Sequence, residues 1–111
     1  MTFDEVSRDI LRFRDERDWK QFHNPKDLAI SVSLEAAELL ECFQWSGADL
    51  ECDDREPHME EELADVMIYC VMLADRLGVD PVEAMRRKLE QNARKYPVGK
   101  ARGRSSKYTE L

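Results

Sequence analysis

Residues 61–80, EELADVMIYCVMLADRLGVD, contain nine consecutive apolar or aromatic side chains at 66–74 and a glycine at 78. The segment reads as a helix from about His58 to Leu77, stopped where Gly78 can turn left-handed at no steric cost. The run is apolar around the whole helical circumference, and such a helix is expected to be buried on all sides. Downstream, Asp80-Pro81 pairs an N-cap with a proline at the first helical position, where the missing N–H has no helical partner to lose. A further helix should therefore reach about Lys95, after which Pro97, Gly99 and Gly103 mark an irregular tail. Upstream, residues 46–57 form a polar, acidic loop around Gly47. Before that loop, Asn24-Pro25 repeats the cap-and-proline device and opens a helix expected from about Lys26 to Phe43 or Trp45. On it Leu28, Val32, Ala36, Leu39, Cys42 and Phe43 project onto one apolar arc. Residues 18–23 are an aromatic-rich connector. Thr2 and Glu5 have capping-box spacing, and Phe3, Val6, Ile10 and Phe13 continue as an amphipathic first helix to about Arg17. The expected fold class is all-α: a compact four-helix unit over residues 1–96 with an irregular basic tail over 97–111. Four short helices can hardly cover the all-apolar one within a single chain, so the helices are expected to assemble into an oligomeric bundle.

The chain's 111 residues suit one domain. Charged residues make up 37% and apolar residues 42%, which excludes a membrane protein and a typical disordered chain. The net charge of −7 argues against nucleic-acid backbone as the main partner. That charge is uneven: residues 1–96 hold 13 basic and 23 acidic side chains, while 97–111 hold four basic and one acidic. A basic tail on an acidic body is expected to meet something anionic. Cys42, Cys52 and Cys70 are odd in number and form no C-x-x-C, no apolar signal segment opens the chain, and no 18-residue apolar run spans a bilayer. These features imply a reduced, cytoplasmic protein without a membrane partner.

Most acids sit on polar faces or in first turns, where the helix dipole favours them. Glu35 does not. It projects inside the apolar arc, with Glu38 one turn on at the arc's edge, and residues three apart on a helix can converge. Glu62 and Asp65 repeat the arrangement on the next helix, on the side of Tyr69. Two charges ~4 Å apart repel by about 4 kcal/mol at an effective dielectric of 20, so four in one cleft require protons or cations. An all-oxygen set favours Mg²⁺ or Mn²⁺. A di-iron centre would bring histidine three residues after a glutamate, and neither His23 nor His58 stands so.

The double motif Glu35-x-x-Glu38 and Glu62-x-x-Asp65, with 23 residues between its halves, resembles the signature of the MazG-like all-α nucleoside triphosphate pyrophosphohydrolases. RDWKQFHNPKDL (17–28), LEAAELLECFQW (34–45), EELADVMIYCVMLADRLGVD (61–80), QNARKYPV (91–98) and KYTEL (107–111) extend the resemblance to the branch acting on dCTP. The resemblance implies Mg²⁺, or Mn²⁺ in its place, held by Glu35, Glu38, Glu62 and Asp65. It implies hydrolysis of a deoxynucleoside triphosphate to monophosphate and pyrophosphate, with dCTP or 5-modified dCTP preferred, in a homotetramer. Glu38, at the arc's margin, is the expected proton acceptor for the attacking water. Trp19, His23 and Trp45 match the family's base pocket, and Tyr69 lies beside the metal pairs. Asn92 matches a sugar or phosphate contact and Lys95 a phosphate contact, where many relatives carry arginine and its bidentate fork. Lys88, Arg94 and Arg102 are further cations available to a triphosphate. Other branches of the fold hydrolyse dUTP or phosphoribosyl-ATP, and a non-catalytic divalent-ion-binding helical module would also need the four acids.

Overall fold

The computed structural model describes residues 1–111, which form helices, turns and loops and no strand. The helices are α1 (Phe3–Glu16), α2 (Pro25–Glu41), α3 (Glu56–Leu77), α4 (Pro81–Lys95) and a single-turn α5 (Val98–Ala101). Short 3₁₀ turns occupy Trp19–Phe22, Asp53–Arg55 and Tyr108–Glu110. The chain divides into two compact units, Met1–Gly78 and Val79–Leu111.

In the first unit the helix starts follow the capping logic. The Thr2 hydroxyl accepts from the Glu5 amide at 3.1 Å, and the Glu5 carboxylate accepts from the Thr2 amide at 3.1 Å, which completes the box. Asn24 Oδ1 accepts from the Asp27 amide at 2.8 Å, with Pro25 opening α2. α3 begins two residues earlier than expected, at Glu56, because Pro57 falls in the first turn, where its missing N–H costs no bond. Gly78 ends α3 at φ 68°, as its position predicts.

α2 and α3 pack against each other as an antiparallel hairpin, and α1 crosses onto α3. The face α2 turns inward carries Leu28, Val32, Glu35, Leu39 and Cys42, whereas Ala36 and Phe43, expected within the same arc, stay exposed. Leu28 and Cys52 are each 1% exposed and, with Cys42, Val71 and Met72, form the core. α3 is not buried on all sides within one chain. Val71 and Met72 face the core, while Leu63, Met67, Cys70 and Leu77 leave an exposed apolar stripe at helical spacing. α2 exposes Ile30, Leu34 and Leu40 likewise.

Two arginines tie the hairpin and its neighbour. Arg14, 3% exposed, leaves α1 to pair with Asp75 of α3 at 2.7 Å and with Asp15 at 2.9 Å. Arg55, just before α3, donates to the carbonyls of Cys42 at 2.6 Å and Gln44 at 3.2 Å. These carbonyls belong to the turns that follow α2, so Arg55 fastens the loop's two ends.

In the second unit, Asp80 Oδ1 caps α4 by accepting from the amides of Val82 and Glu83 at 2.9 and 3.3 Å. The tail is less irregular than its prolines and glycines suggest. After Pro97 it makes α5, and it returns so that Tyr108 meets Tyr96 edge-on at 5.9 Å.

Candidate metal centre

The α2–α3 hairpin brings the acidic pairs together. Oxygens of Glu35, Glu62 and Asp65 lie within 4.8 Å of one another. Glu38 stands one helical turn beyond Glu35, near enough for its carboxyl to act on both Glu35 and Glu62. Glu62 is buried and Glu35 half-buried, while Glu38 and Asp65 are exposed, so the cluster is a rim open to solvent rather than a closed cage. Burial first, then the hydrogen bond to Glu38 and the charges of Glu38, Asp65 and Glu62, push the Glu35 carboxyl above its ordinary range. Glu62 is raised first by its hydrogen bond to Glu38, then by burial and the neighbouring acids, with His58 alone acting the other way. Two carboxyl oxygens, Glu35 Oε2 and Glu62 Oε2, are buried with no hydrogen-bond partner.

These orphaned oxygens are what a divalent ion would satisfy. Oxygens on opposite sides of Mg²⁺, bound at ~2.1 Å, stand ~4.2 Å apart, so small side-chain rotations would let this group share one ion. The donors are all carboxylate, the chemistry that suits Mg²⁺ and Mn²⁺. The residues present fit the ion that the motif implies.

The remaining candidates are spread around the first unit. Tyr69 lies on α3, half-buried, one turn beyond Asp65. Trp19 sits in the 3₁₀ turn, edge-on to Phe13 at 5.6 Å, and the Arg17 guanidinium lies 3.6 Å from the Phe13 ring centroid. His23 closes that turn; its Nδ1 is buried and unpartnered. Burial, followed by the charge of Arg14, pushes its pKa below the usual histidine range, which keeps the ring neutral at neutral pH. Trp45 does not end α2, which stops at Glu41. The chain leaves the helix where Arg55 takes the Cys42 and Gln44 carbonyls, and Trp45 adopts φ 65° with the residue 92% exposed. A bulky residue in the left-handed region, held out in water, is costly unless something covers it.

Asn92 and Lys95 belong to the second unit, on α4. The Lys95 ammonium lies 5.0 Å from the Tyr108 ring centroid, and the Asn92 carbonyl accepts from the Tyr96 amide. Arg87, Lys88 and Arg94, with Gln91, line one open groove of α4.

One residue beside the acids escaped the motif. His58 Nε2 lies 3.5 Å from Glu62 Oε1, and its Nδ1 lies 3.9 Å from Glu61 Oε2. Its signal is the four-residue step from His58 to Glu62 on one helix face, which a search for histidine three residues after glutamate does not find.

The chain matches the MazG-like family over residues 30–111, a span that contains the four acids, Trp45, Tyr69, Asn92 and Lys95 and leaves out Trp19 and His23. It is 41% identical over 121 residues to dCTP pyrophosphatase 1 of Homo sapiens, covering 99% of this chain and 68% of that protein. It is 39% identical over 115 residues to the Bos taurus protein of the same name, with the same coverage. A crystal structure of a pyrophosphatase from Archaeoglobus fulgidus superposes with a TM-score of 0.78 at 47% identity, covering 85% of this chain and 91% of that one.

Proposed function

We propose that this chain, which belongs to the MazG-like family, hydrolyses dCTP or 5-modified dCTP to the monophosphate and pyrophosphate, and so cleanses a nucleotide pool. It is an enzyme, a nucleoside triphosphate pyrophosphohydrolase. Metal-assisted hydrolysis is supported above all by the convergence of Glu35, Glu62 and Asp65 with two buried oxygens left unpartnered, and the choice of dCTP by the likeness to the dCTP pyrophosphatases.

Glu35, Glu38, Glu62 and Asp65 would hold Mg²⁺, with Mn²⁺ a substitute. Bound there, the ion would offset phosphate charge and lower the pKa of an adjacent water. Glu38 accepts the proton of the water that attacks the α-phosphorus. The bond from that phosphorus to the bridging oxygen breaks, and pyrophosphate leaves with the electron pair. Glu38 suits the role because it is exposed to solvent at the edge of the acidic group, where an attacking water has access to it. Trp19, His23 and Trp45 receive the base, with Tyr69 at the inner edge. A neutral His23 offers the base a flat ring and a lone pair without charge. In the second unit, Asn92 and Lys95 remain the positions that the family resemblance assigns to sugar and phosphate.

The exposed apolar stripes of α2 and α3 support assembly of copies of this chain, and the family resemblance makes the proposed assembly a homotetramer. Three free thiols support a reducing, cytoplasmic setting, and no helix is long and apolar enough to cross a membrane. Incubation with each dNTP and Mg²⁺, with pyrophosphate and orthophosphate measured separately, tests the reading. Pyrophosphate from dCTP above all others, abolished by a chelator, is expected. Equal turnover of dUTP would favour another branch, and no product from any nucleotide would leave a non-catalytic ion-binding module.

A further inference from the structure

Glu62 presents its two oxygens to different surroundings. Oε1 lies 3.5 Å from His58 Nε2, while Oε2 is buried and unpartnered. Glu62 is also the most buried member of the acidic group, and its side chain is long enough to swing away from its neighbours unless something holds it. His58 is one helical turn earlier on α3, its side chain 59% exposed, and it stands outside the group of three converging oxygens. We propose that His58 is a positioning residue of the metal centre: it grips Glu62 through Oε1 so that Oε2 is presented to the divalent ion. This inference rests on the metal reading above and adds to it a residue that is not one of the four acids.

The physical reason is preorganisation. Closing the 3.5 Å approach to a ~3.0 Å hydrogen bond takes a small side-chain rotation. A carboxylate fixed through one oxygen gives up less freedom when the other binds a cation. Partners that orient metal ligands in this way commonly contribute 10- to 100-fold in metal affinity. Glu61 Oε2 lies 3.9 Å from Nδ1, beyond hydrogen-bond distance, so Glu62 is the nearer carboxylate to the ring.

Mn²⁺ titrated into chelator-treated, metal-free protein tests this without any turnover, the free ion being counted by electron paramagnetic resonance. His58→Ala should weaken Mn²⁺ binding by about 10- to 100-fold. His58→Gln, which keeps an N–H donor on a side chain of similar reach, should recover most of that loss. Glu62→Gln serves as the measure of the site itself and should weaken binding further. Because His58 is exposed, metal-free His58→Ala should melt as the wild type does. Unchanged Mn²⁺ affinity in His58→Ala, with Glu62→Gln impaired, would overturn the positioning role and leave the metal reading standing. An imidazole nitrogen coupling on bound Mn²⁺ in the wild type would overturn it too, by making His58 a ligand. A wild type that binds no Mn²⁺ overturns the metal reading and this inference with it.

Discussion

α3 carries an ionic cluster toward each end, and the two are opposites. Toward its C-terminus, Asp75 receives the buried guanidinium of Arg14 at 2.7 Å, and Asp15 takes a second side of the same group. Toward its N-terminus, Glu62 and Asp65 meet Glu35 and Glu38 with no lysine or arginine paired to them, and two buried oxygens have no hydrogen-bond partner in the chain. The first cluster is electrostatically complete and fastens α1 to α3. The second is like-charged, raises the pKa of two of its members, and becomes complete only with protons or an added ion. Buried charge that is already paired contributes to the fold. Buried charge left without a counterion marks the place where a ligand belongs.

The sharpest way to break this contrast is Glu62→Gln, which removes one charge from the incomplete cluster and keeps its shape. Pyrophosphate release should fall at least about a hundredfold, since metal assistance supplies several kcal/mol at the transition state. The metal-free protein should melt no lower than the wild type, because repulsion is relieved. A Glu62→Gln enzyme with near-normal turnover would show that the acids are misassigned.

Arg14→Met tests the complete cluster from the other side and should act on stability. Breaking a buried ion pair costs about 3 kcal/mol at the lower end of its usual range, apt here because Asp75 keeps 34% of its side chain exposed. Urea titration of the variant, of Asp75→Leu and of the double variant measures the coupling. The double variant should recover much of the loss. Additive losses would mean that the pair contributes through packing alone.

Trp45→Ala touches neither cluster and should therefore separate binding from both chemistry and folding. Stacking on an aromatic contributes about 1–3 kcal/mol per base, so the KM for dCTP should rise about 5- to 150-fold. The kcat should change little, because a remote base is held nearly equally in ground and transition states. A normal KM with a collapsed kcat would place Trp45 in the packing of the centre instead.

The smallest expected effect is the pH dependence of the metal-free protein. Glu35 and Glu62 sit above the ordinary value of 4.5, so the folded state binds more protons than the unfolded one just above that pH. Their contribution to stability is present below about pH 4.5 and is lost as pH rises through the raised values. The melting temperature of Glu62→Gln relative to the wild type should therefore climb from acidic to neutral pH. A difference that stays flat would mean that the carboxylates do not share protons.

Most of the fold was legible because local chemistry dictates it. Thr2, Asn24 and Asp80 cap their helices through bonds within four residues, and Gly78 ends α3 by its own backbone freedom. The inward place of Glu35 was likewise visible, since an acid inside an apolar arc has the same direction before and after folding. Trp45 was misread as a helix end because nothing local stops α2 there. Arg55, eleven residues beyond Gln44, does so by taking its carbonyl and that of Cys42. The stripe of α3 that one chain leaves exposed has a related reason, since hydropathy states what a helix requires and not whether its own chain supplies it.

What the sequence alone determined is the set of helices and the two pairs of acids, because caps, periodicity and three-residue spacing act within one helix. Only the tertiary structure decided that the pairs share one rim, that Glu35 and Glu62 each keep a buried oxygen without a partner, and that Arg14 closes its cluster with Asp75 across 61 residues. These depend on how α2 and α1 lie against α3, and contacts between helices are set by packing across the whole unit rather than by the pattern along any one segment.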